Sequence, residues 1–66
     1  MKVLLNGTGE SVSPETTVLD FLKAHGFSGK NLILEWNGEI LPLEKAGEAV
    51  LHDGDSLNVF SLVGGG

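Results

Sequence analysis

A chain of 66 residues can bury one hydrophobic core and not two, so its function must operate from a single small surface. The absence of cysteine excludes disulfides, thiolate metal centres and cysteine nucleophiles, and leaves two histidines as the only neutral nitrogen ligands. Nine acidic residues against four basic ones give a net charge of −5, which disfavours contact with nucleic acid or an anionic membrane, while a hydrophobic content of 41% is ample for a packed core.

The chain opens with a single lysine and then strand-like residues, and no apolar stretch approaches twenty residues. The expectation is a soluble, cytoplasmic protein. Met1, Val3 and Leu5 alternate with Lys2, Leu4 and Asn6, a period of two that puts Val3 and Leu5 on the core face of a first strand. Asn6-Gly7-Thr8-Gly9 tolerates positive φ and predicts a hairpin into an antiparallel second strand near Glu10 to Ser13.

Ser13-Pro14-Glu15-Thr16 breaks that strand, and Thr17 with Asp20 three residues later resembles a capping pair, so a helix is expected from about Val18. Val18, Phe21, Leu22 and His25 fall on one stripe of it, with Asp20, Lys23 and Ala24 facing outward and Gly26 suited to a left-handed cap. Leu32 to Trp36 reads as a third strand, and Asn37-Gly38 returns the chain as a short fourth, Glu39-Ile40-Leu41, which Pro42 ends. Glu44 to Glu48 reads as a loop or one helical turn, and Asp53-Gly54-Asp55 as a tight turn into the last strand. There Leu57, Val59 and Ser61 alternate with Asn58, Phe60 and Leu62.

Hairpin, helix, hairpin and final strand describe an α+β domain in which a mixed sheet of about five strands packs on one helix, the β-grasp or ubiquitin-like arrangement. The expected organisation is a β-grasp domain over 1–63 and a flexible glycine tail over 64–66.

Gly64-Gly65-Gly66 is the strongest chemical signal. Glycines after a strand can thread a narrow channel and let backbone approach a phosphate-handling site closely, which makes the α-carboxylate of Gly66 the candidate reacting group. A carboxylate is a poor acyl donor until activated, and attack on the α-phosphorus of ATP converts it to an acyl adenylate. The side chains offer less. His25 and His52 lack the further ligands of a metal site, Asp53 and Asp55 are explained as turn residues, and Trp36 alternates with Leu34 toward the core, where its indole N–H needs a partner. No metal site and no bound cofactor are expected.

If Leu57 and Val59 face the helix, Phe60 and Leu62 face away, beside Leu4 and Ile33 on neighbouring strands. Together with Val63 these residues would form an apolar docking patch next to the tail, with Glu35 adding charge complementarity.

Trp36-Asn37-Gly38-Glu39-Ile40-Leu41-Pro42, Asp53-Gly54-Asp55 and Val63-Gly64-Gly65-Gly66 resemble, in order and spacing, the ThiS-type sulfur carriers of thiamine thiazole synthesis, over nearly the whole chain. The resemblance implies a carrier, not an enzyme. An activating adenylyltransferase of the ThiF type would use ATP to adenylate Gly66, a cysteine desulfurase would supply sulfur, and the resulting thiocarboxylate would pass its sulfur to a ThiG-type thiazole synthase. Two alternatives share this tail chemistry: the small subunit of molybdopterin synthase, and a ubiquitin-like modifier whose adenylated tail is captured by an amine. A monomer best suits a shuttle that must expose its tail.

Overall fold

Val3 and Leu5 are buried while Lys2 and Leu4 face solvent, so the first strand, β1 (Lys2–Leu5), presents the alternation its sequence predicts. The fold is seen in a computed structural model that describes residues 1–28 and 31–61. Leu62, Val63 and the expected tail at 64–66 lie outside the described residues, as does the boundary expected between domain and tail.

Asn6 and Gly7, at φ 50° and 85°, form the left-handed pair of a two-residue hairpin, and β2 (Thr8–Ser11) begins directly after them. This is two residues earlier than the Glu10 to Ser13 expected. The turn closes on Asn6-Gly7 alone, so Thr8 and Gly9 already pair with Leu5 and Leu4.

The helix α1 spans Val18–Ala24 and buries Val18, Phe21 and Leu22. Thr17 caps it in an extended conformation, its Oγ1 accepting from the Asp20 backbone N–H at 3.1 Å. His25 departs from the expected apolar stripe. The helix ends at Ala24, which makes His25 the exposed C-cap, with its ring tilted against Phe21 at 4.5 Å between centroids. Gly26 follows at φ 84°, as a left-handed cap requires.

The second hairpin has the expected bounds: β3 (Leu32–Trp36), a turn with Asn37 at φ 52° and Gly38 at φ 87°, and β4 (Glu39–Leu41). A single 3₁₀ turn, Leu43–Lys45, occupies part of the polar loop, and β5 (Ser56–Ser61) completes the sheet. Strand order is β2-β1-β5-β3-β4, with β1 and β5 parallel and every other pair antiparallel. This is the five-stranded, one-helix β-grasp arrangement expected. The last strand, β5, is therefore central in the sheet.

Leu34, Leu57 and Val3, each fully buried, meet Val18, Leu22 and Leu51 in the core between sheet and helix. Trp36 lies on that same face but at its margin, half-buried and packed against the core rather than within it.

Candidate functional site

The sheet face opposite α1 has no element over it among the described residues and carries most of the large exposed apolar side chains. Leu4 is 42% exposed, Ile33 36%, Phe60 53% and Ile40 68%. Ile33 and Phe60 are direct partners across β3 and β5. Leu4 shares their face but sits opposite Ser56, four residues up β5 from Phe60 and so about 13 Å away along the strand. Between them lies a polar row in which the Asn58 amide donates to Glu35 Oε1 at 2.9 Å, and Glu35 in turn faces Ile40 on the edge strand. Of the five residues expected to form the patch, the fold thus joins Ile33 to Phe60, places Leu4 on the same face further along, and leaves Leu62 and Val63 outside the described residues. Ile40 was not among the expected patch residues, although its register opposite Glu35 puts it on this face.

The strand that leads to this end of the chain is fastened at its start by side chains. Asn6 N donates to Leu57 O at 2.9 Å and Asn6 Oδ1 accepts from Val59 N at 2.8 Å, which extends the parallel β1·β5 ladder by one side chain beyond its last residue. Asn37 does the same on the other side, with Asn37 N to Ser56 O at 2.8 Å and Ser56 N to Asn37 Oδ1 at 2.9 Å. Both hairpin turns therefore grip β5 through their asparagine. Positive φ explains why asparagine suits these turns, and the side-chain ladder explains what it adds over glycine.

Asp55 organises the second grip. Its Oδ2 accepts from the indole Nε1 of Trp36 at 3.0 Å and from the His52 backbone N–H at 2.8 Å, while Oδ1 accepts from Asn37 Nδ2 at 3.1 Å. The partner that the Trp36 indole requires is thus Asp55. Partial burial opposes ionisation of Asp55 more than any single contact favours it, but the bonds from His52, Asn37 and Trp36, with the His52 charge, together outweigh it and hold the carboxyl below its ordinary value of 3.8.

A depressed folded-state value means that ionised Asp55 contributes stability above pH 3.8, and that this contribution is lost as pH falls through that value toward the lower folded one. Asp55→Asn is expected to unfold more easily than the parent near neutrality, by about 1–3 kcal/mol from the lost charge-assisted bonds. Urea midpoints of the two proteins should converge on acidification. A gap that is constant with pH would show that the carboxylate charge is not what matters.

Among the described residues the remaining polar groups assemble no catalytic constellation. Asp53 Oδ1 accepts from the Lys2 backbone N–H at 2.8 Å, so it closes a loop onto β1. Among the described residues no group of three or more His, Asp or Glu side chains could hold a metal ion, and no side-chain hydroxyl is hydrogen-bonded to a histidine. No helix among them is long and apolar enough to cross a membrane.

Comparison with known proteins gives consistent relatives. The crystal structure of a thiamine biosynthesis protein, ThiS, from Geobacter metallireducens superposes with a TM-score of 0.83 at 28% identity, over all of both chains. An NMR solution structure of a thiamine biosynthesis protein from the same organism gives 0.79 at 28% identity, covering all of this chain and 88% of that one. In sequence, the chain is 32% identical over its full 66 residues to a thiazole synthase of Paramagnetospirillum magneticum, of which it spans only 20%. The ThiS family model matches residues 3–66, through the final glycines. With that match over nearly every residue and a β-grasp sheet to accompany it, the chain belongs to the ThiS family, whose members are small sulfur carriers and not enzymes.

Proposed function

We propose that this chain carries sulfur for thiamine biosynthesis on the α-carboxylate of Gly66. The observation that carries the reading is the family match extending through Gly64, Gly65 and Gly66, beyond the end of the described fold. A ThiF-like enzyme joins the carboxylate to the α-phosphorus of ATP and releases pyrophosphate. Persulfide sulfur delivered from a cysteine desulfurase then attacks the acyl carbon and displaces AMP, and a second thiol cleaves the resulting acyl disulfide, leaving a thiocarboxylate and itself ending in a disulfide. The chain itself supplies the acyl group and a surface for recognition, while nucleotide and catalytic groups belong to its partners.

A ThiG-like thiazole synthase takes the sulfur. The relative named thiazole synthase contains a segment similar to this whole chain within a protein about five times its length, which supports association of the two functions. Recognition of the activating enzyme is assigned to the open sheet face, where Ile33 and Phe60 form an apolar pair beside the Glu35–Asn58 bond. Phe60→Ala is expected to weaken binding to that enzyme by about 10- to 100-fold, the range of an aromatic hot spot, while the melting temperature stays nearly constant. Calorimetric titration with unchanged affinity would remove the face from the interface.

The reading as a whole is tested by the intact mass of the protein after incubation with ATP, the host's activating enzyme and a sulfur source. A gain equal to replacing one oxygen by sulfur, localised to the C-terminal peptide, is expected. No gain with components shown to be active would overturn it.

A further inference from the structure

Both hairpin turns of this protein are Asn-Gly pairs, the dipeptide most prone to lose its side-chain amide through a cyclic imide. In that reaction the backbone nitrogen of the glycine, after losing its proton, attacks the asparagine Cγ. The bond from Cγ to Nδ2 breaks, ammonia leaves, and water then opens the imide to aspartate or to its β-linked isomer.

Asn37 and Gly38 are exposed, and no group lies within contact of the space a Cβ on Gly38 would occupy. Among the described residues Gly38 N makes no hydrogen bond outside the ladder. What restrains the reaction is the side chain. Asn37 Oδ1 is held by Ser56 N at 2.9 Å and Nδ2 by Asp55 Oδ1 at 3.1 Å, so Cγ is anchored toward β5 and the nitrogen that must leave is bonded. Asn6 differs, since its Oδ1 is held by Val59 N and its Nδ2 has no partner among the described residues.

We propose that Asn37-Gly38 is a covalent modification site gated by local opening of the Asp55–Asn37–Ser56 contact, so that the rate of amide loss reports the fraction of time that β5 is released from the second hairpin. The gate is local because it depends on one clip at the sheet end, and small domains open in parts at lower free energy than they unfold. The product cannot reclose. It replaces the Nδ2–H that Asp55 accepts at 3.1 Å with a carboxylate oxygen, setting two negative groups against each other where a bond had been. A molecule that has opened long enough to react is thereby withdrawn from the population that closes normally around the Trp36 indole.

Peptide mapping by mass spectrometry of the full chain, aged at mildly alkaline pH, tests this by comparing residues 37 and 6 in the same molecules. Asp55→Ala is expected to accelerate amide loss at Asn37 by about 5- to 30-fold, the change in closed-to-open ratio that removing such a contact produces, with a much smaller change at Asn6. Asp55→Asn, which keeps the size of the side chain, should move Asn37 in the same direction and serves if the alanine variant fails to fold. Leu34→Ala, which destabilises the whole domain, should raise both sites together. Equal acceleration of both sites by the Asp55 variants, no acceleration at either, or a parent rate at Asn37 equal to that of a short Asn-Gly peptide would each overturn the local gate.

Discussion

Deleting Gly66 is expected to lower the rate of adenylation by at least about 100-fold and to leave the melting temperature unchanged. The truncated chain still ends in glycine, so the variant separates reach from residue type. Removing one residue withdraws the carboxylate by about 3.3–3.6 Å of extended chain, and a misplacement of about 1 Å at a reacting centre is enough to cost about 100-fold. Stability should not follow, because glycine contributes no side chain to a core. The experiment follows pyrophosphate release by the activating enzyme, with a thermal melt of each protein alongside. A truncated chain that is adenylated at the parent rate would show that the enzyme does not measure the tail to its last residue.

Such a separation of reach from stability is a property of the whole architecture, and much of it was readable from residue order. Strands β3 and β4 are bounded by Asn37-Gly38 and Pro42, whose conformational demands are local, and both emerged where expected. Thr17 marked the helix start for the same reason, since a cap depends on its own four residues. The readings that failed depended on counts of one or two residues. Thr8-Gly9 looked like the continuation of a turn, but Asn6-Gly7 sufficed to reverse the chain, and His25 kept the helical spacing one residue beyond the helix.

Contacts between distant segments were less legible. Asp53-Gly54-Asp55 is good turn chemistry in any order of strands, yet the Asp55 carboxylate reaches the Trp36 indole and the Asn37 amide only because β3 and β5 are neighbours. The same holds for the candidate site. Alternation correctly separated Leu4, Ile33 and Phe60 from the core, but their arrangement depends on register, which puts Phe60 against Ile33, moves Leu4 up the strand to Ser56 and brings in Ile40 opposite Glu35. A pleat tells which face a residue is on. Only pairing tells what lies next to it there.

The sharpest test of that face assignment is to truncate two neighbours in β3. Leu34→Ala is expected to destabilise the domain by about 2–5 kcal/mol, the range for a leucine deleted from a core that cannot fully collapse around the gap. Leu34 is fully buried and lies between Leu41 on β4 and Val59 on β5, so the lost methyl groups leave a space lined by three strands. A domain of this length holds about 3–10 kcal/mol in all, so the variant should lose a large fraction of its stability. Ile33→Ala, one residue away and opposite Phe60, should cost about 1 kcal/mol or less while weakening the activating enzyme's grip on the sheet. Urea unfolding of both variants and titration of both with that enzyme give four numbers. Large loss of stability at Leu34 with loss of affinity at Ile33 is the outcome a two-faced sheet requires, one side spent on the helix and the other left for a partner. Loss of stability at Ile33 comparable to that at Leu34 would mean that the open face is part of what holds the domain together, and would take away the surface on which recognition has been placed.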